Sequence, residues 1–207
     1  MGQNVESTSS TSESKSPMNI TFKNIESEKI KECFLEVYNR YEALHKYKLT
    51  LAQKRIKSST MQAQPIVSIK SLFTGVKKYQ IKLAIYVKDS DELQVNDLPD
   101  EVLVGWFAHE LGHVVDYEPR SNFGMIIYGL KYLYSHKFKH KAEHDADRYA
   151  VERGFASEII ATKRYILEND FLGESYKAII NRYYMSIEDV EMCIDEDNIP
   201  IEPKFEL

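Results

Sequence analysis

The sequence predicts a mainly helical α+β domain over residues 18–200, with a disordered tail at 1–17 and an irregular end at 201–207. Three observations predict it. Apolar residues recur at helical spacing near the N-terminus, the period switches to two at residues 81–88, and from residue 97 helix signals follow one another with short breaks. The chain has 207 residues, 43% hydrophobic and 12% aromatic, which is enough for one domain with a substantial core.

Residues 1–17, MGQNVESTSSTSESKSP, are Ser/Thr/Glu-rich with almost nothing to bury, hence the disordered tail. A helix is expected in SEKIKECFLEVYNRYEALHKYKLTLAQ, where Ile30, Phe34, Val37, Tyr38, Tyr41 and Leu44 form a stripe and Ser27 and Glu28 suit the start. The lysines of KYKLTLAQKRIK read as the polar side of that helix rather than as a binding patch. In QIKLAIYVKD, Ile81, Leu83, Ile85 and Val87 alternate with Lys82, Ala84, Tyr86 and Lys88, which describes a strand with one buried face. QPIVSIKSLF is its expected partner, with Gly75 in the connection. In VNDLPDEV, Asp97 suits a helix cap, Pro99 the first turn, and Asp100 and Glu101 the positive helix end. That helix should stop shortly before Pro119. Helices follow at about 123–135, 140–153 and 156–168, with weaker ones to Cys193, and Gly154 is a natural stop for the second.

Composition also excludes. A net charge of −5 argues against nucleic acid as the main partner, because phosphate binding needs a concentrated basic surface. No segment reaches the ~18 apolar residues of a membrane span. The nearest, FGMIIYGLKYLY at 123–134, is too short, contains Lys131, and is expected to be a buried helix with no transmembrane role. The N-terminus has no apolar signal core, so a cytoplasmic location is expected. Cys33 and Cys193 match no metal-ligand spacing and fit a reducing compartment.

The chemistry concentrates in WFAHELGHVVDYE, residues 106–118. Residues four apart on a helix share a face, about 5–6 Å apart at Cβ, so His109 and His113 can point at one ion. Glu110 is rotated by roughly 100° from His109, so it reaches a water held on that ion rather than the ion itself. Gly112, between the histidines, makes sense if something approaches the helix closely. A catalytic zinc needs three protein ligands and one open position. KAEHDADRYAVERG supplies the third: Glu143 and Asp147 are also four apart, Glu143 to bind the metal and Asp147 to accept the second N–H of a ligand histidine. His140, His144 and Asp145 compete for the third-ligand role, and His136, His140 and His144 lie on one helical stripe that could hold a second metal. Trp106, one turn before His109, suits a cleft wall or the core equally.

HELGH followed by an ExxxD helix resembles the gluzincins, zinc metallopeptidases of the thermolysin type. EHDADRYAVERG is most similar to the soluble minimal gluzincins and to the catalytic part of prenyl-processing membrane proteases. The resemblance covers about residues 80–155. It implies a zincin-like fold, with a small twisted sheet packed on the HExxH helix and a helical second half. It implies Zn2+ at His109, His113 and Glu143, Glu110 as general base, Asp147 hydrogen-bonded to His109, and a peptide or protein substrate. In this class the strand before the active-site helix is an edge that pairs with an extended peptide, which makes Ala84 and Tyr86 candidates to face the cleft. Two alternatives stand beside a peptidase. One is a metal-binding regulator of zincin fold with little turnover. The other is a structural zinc site, which should have four protein ligands and no need for Glu110.

Overall fold

The computed structural model describes residues 19–198 apart from Lys57. The expected tail at 1–17 and irregular end at 201–207 lie outside the described residues. Within them the chain is α+β and mainly helical, with one four-stranded sheet. The first strand, β1 (Ile20–Lys23), has no counterpart in the sequence expectations, being only four residues long. Helix α1 (Glu28–Arg40) starts where Ser27 accepts the Ile30 N–H, and it buries Ile30, Cys33, Phe34, Val37 and Tyr38. It ends at Tyr41, far short of the expected helix, and a 3-10 turn covers Glu42–Leu44. The lysine-rich segment beyond is strand β2 (Lys48–Gln53), not a helix face. The alternation of Lys48 and Thr50 with buried Leu49 and Leu51 is a strand pattern, and strand neighbours on both sides outweigh the helix-forming lysines.

Two further boundaries move. The partner strand is β3 (Met61–Pro65), and the residues after it form a short helix, α2 (Ile69–Thr74), set by a Ser68–Ser71 capping box and closed by Gly75 at φ 68°. Strand β4 spans Lys78–Leu83 rather than 81–88; beyond it only Tyr86 bridges, to Gln94. The sheet order is β1-β2-β4-β3, with β1, β2 and β4 parallel and β3 antiparallel to β4. β4 is therefore interior and β3 is the edge nearest the helices.

Helix α3 (Asp100–Tyr117) carries the HELGH segment and is buried along nearly its whole length, so it has apolar residues on every side. Pro99 stands at its N-cap and Asp97 belongs to the preceding 3-10 turn, so Asp97 is not the cap. Two glycines set how closely other helices approach. A Cβ on Gly112 would collide with the Ala146 carbonyl of α5 (His136–Val151), and one on Gly105 with Glu158 O and Thr162 Oγ1 of α6 (Ala156–Glu168). Between α3 and α5 runs α4 (Asn122–Tyr134), which is not the expected buried helix: only Asn122, Met125 and Tyr128 are buried. Gly154, at φ 80°, ends α5, and α7 (Glu174–Tyr183) and α8 (Ile187–Asn198) complete the helical half. No helix among the described residues is long and apolar enough to cross a membrane.

Candidate metal centre

Close packing of α5 on α3 at Gly112 puts Glu143 over the two histidines. His109, His113 and Glu143 are all buried, Glu143 completely. Glu143 Oε2 lies 3.0 Å from His109 Nε2 and 3.3 Å from His113 Nε2. One ligand atom from each of the three falls within 4.8 Å of the others, and this is the one such group among the described residues. Atoms each about 2.0–2.1 Å from a tetrahedral ion stand about 3.3 Å apart, so these separations suit a metal ion. The donor set of two imidazoles and a carboxylate suits one as well. His136, His140 and His144 form no second group: His136 bonds the Tyr183 hydroxyl at 2.6 Å, and the His140 and His144 rings stack.

Around the donors, Asp147 Oδ1 lies 2.8 Å from His109 Nδ1, which fixes the ring with Nε2 towards Glu143. Asp147 Oδ2 accepts from Lys163 Nζ at 2.8 Å and from the Met185 N–H at 3.1 Å. Tyr132 donates its hydroxyl to Glu143 Oε1, holding the carboxylate from the far side. His113 Nδ1 has no such partner. Lys163, Tyr132 and the Met185 amide were not among the residues singled out by sequence. For Lys163 a signal exists: it falls on the buried stripe Ile159, Thr162, Lys163 and Ile166, where a lysine is out of place.

Charge also favours a cation. Glu110, Glu143 and Asp147 bring three buried carboxylates to the site, against which Lys163 is the one buried ammonium among the described residues. Two further positive charges are needed for compensation, which a divalent ion supplies. Without one, the imidazoles take that load. Burial opposes the charged form of His109, but the Asp147 and Glu143 carboxylates outweigh it and push its pKa up to about 10. Burial likewise opposes ionised Glu143, yet His113 and His109 hold it well below the usual carboxylate range. Glu110 moves the other way, raised by burial more than the histidines lower it.

The donors open on a cavity of about 450 Å³, walled by Trp106 and Tyr117 of α3, Tyr176 and Tyr184 from the helical half, and residues 58–65 around β3. The Ala63 N–H donates to Glu110 Oε2, so the edge strand touches the glutamate directly. Ala84 and Tyr86 do not line the cavity. Ala84 is fully buried with its N–H on Thr60 O, and Tyr86 is half-exposed where it bridges Gln94. The pairing order is the reason, since β3 intervenes between β4 and the cleft. No protein-family model, curated protein or solved structure matches the chain. The site stands on its own geometry.

Proposed function

We propose that this chain is a zinc metallopeptidase of the gluzincin class, with a zincin-like arrangement of sheet and helices. One observation carries the reading: a buried His109–His113–Glu143 group opens into a cavity with the Glu110 carboxylate beside it. His109, His113 and Glu143 would hold the zinc ion, which would supply Lewis acidity and lower the pKa of a bound water to about 7. Glu110 accepts the proton of the attacking water and delivers it to the leaving amine. Its raised pKa suits both halves of that transfer. Asp147 holds His109 in the tautomer whose Nε2 is free to coordinate. The edge strand β3, rather than β4, is the backbone against which an extended peptide would align.

A second reading, a metal-binding regulator with little turnover, is favoured by the Ala63 bond, which occupies one oxygen of the base. Zinc-loaded wild type and Glu110→Gln, incubated with a peptide library, separate the two. A peptidase cleaves, and the variant keeps its zinc while losing about a hundredfold or more of the rate. Wild type that holds zinc and cleaves nothing supports the regulator instead.

A further inference from the structure

The outer side of α4 is apolar where water should meet polar residues. Phe123, Ile126, Ile127, Leu130 and Tyr134 follow one another at i, i+3, i+4, i+7 and i+11, the spacing of a single helix face. That face points outward: Phe123 is 65%, Leu130 52% and Tyr134 84% exposed. Helix α2 adds to it, with Ile69, Leu72 and Phe73 exposed, Phe73 at 87%, and Val76 exposed just beyond its Gly75 cap. The two helices are neighbours, joined where Asn122 Nδ2 donates to Ser71 O at 2.6 Å and to Val76 O at 3.2 Å. Exposed apolar surface this concentrated marks an interaction site.

Charge identifies the occupant. The chain carries 32 acidic residues, yet none falls in 43–88 or 119–142, the stretches that contain α2 and α4. Those stretches hold ten and five of its 27 basic residues. Lys77, Arg120 and Lys141 are bonded to Glu118, Asp116 and Asp145, but Lys70 on α2, Lys131 on α4 and Lys137 just after it are exposed to solvent. In an acidic protein this face is thus both apolar and cationic. A second copy of the chain would bring the same positive charge against it. A bilayer bearing anionic headgroups accepts both features, the rings and aliphatic chains below the headgroups and the lysines among them.

We infer that α2 and α4 form a peripheral docking face for an anionic lipid bilayer. The proposal is independent of any catalytic role. It places the cavity beside the bilayer, because Gly129 and Leu133 of α4 also line the cavity wall. The test is co-sedimentation of the full chain with vesicles of phosphatidylcholine, with and without phosphatidylserine, alongside light scattering of the lipid-free protein. Binding to the mixed vesicles is expected, and weaker binding to phosphatidylcholine alone. Phe73→Glu/Leu130→Glu/Tyr134→Glu should lower binding about tenfold or more while leaving the thermal melt and zinc content unchanged. Lys131→Glu/Lys137→Glu should weaken only the phosphatidylserine-dependent part, and added salt should do the same. No sedimentation with mixed vesicles overturns the proposal, as does equal binding by the triple variant. A lipid-free dimer that the triple variant converts to monomer also overturns it and assigns the face to a second copy.

Discussion

Asp147 is bonded three times over, to His109, Lys163 and the Met185 amide, and is almost fully buried. Burial alone would raise its pKa, but the Lys163 ammonium and then His109 outweigh burial and hold it at about 2. A depressed carboxyl stabilises the fold above its unfolded value, near 3.8, and that contribution is lost as pH falls towards 2. In metal-free Lys163→Met the carboxylate loses its principal counter-charge. We expect a loss of about 3 kcal/mol in urea unfolding at neutral pH, and an acid transition that begins at higher pH than in wild type. A change below about 0.5 kcal/mol would show that the pair contributes no more than an exposed one. His109, His113, Glu143 and Asp147 were legible in the sequence because each pair is local, four residues apart on one helix. For Lys163 the sequence offers only a lysine out of place on the apolar stripe of α6; its partner Asp147 is met only when the fold brings α6 against α5.

At the scale of elements, contact between α3 and α5 decides whether the donors meet. Gly112 stands at that contact, as its position between the histidines suggested. Gly112→Ala should push α5 outward at Ala146, three residues from Glu143, destabilising the fold by about 1–3 kcal/mol and weakening zinc binding. Gly105→Ala presses instead on α6 and should destabilise comparably while leaving zinc affinity closer to wild type. Thermal melts with a competitive zinc titration of both variants check the contrast; equal affinity losses would refute it. Helix spans were readable where an apolar stripe is clear, as for α6, whose bounds match expectation although no side chain caps its start. The sheet was read less well. Strand β2 resembles the polar face of a helix until its neighbours are known, and nothing local tells that β3 rather than β4 lies at the edge. Both errors have one cause: strand order comes from non-local pairing. That is why Ala84 and Tyr86 were expected at a cleft that residues 58–65 line instead.

Across the whole molecule, an ion at this centre would cross-link α3 and α5 directly, and α6 and the approach to α8 through Asp147. Metal that binds only the folded chain stabilises it by about 4 kcal/mol when present at a thousand times its dissociation constant. Chelator should therefore lower the melting temperature of wild type and leave that of Glu143→Ala unchanged. The exposed α4 shows where sequence reasoning stops at this scale. A twelve-residue apolar run reads as core, and only the assembled fold reveals that most of its stripe faces outward. The most direct measurement is the zinc content of the chain after equilibration with excess metal and removal of the free ion, for wild type, His113→Ala and Glu143→Ala. One ion per wild-type chain and far less in both variants is the expected result. No ion in wild type, or a full complement in Glu143→Ala, would contradict a centre built from these three side chains.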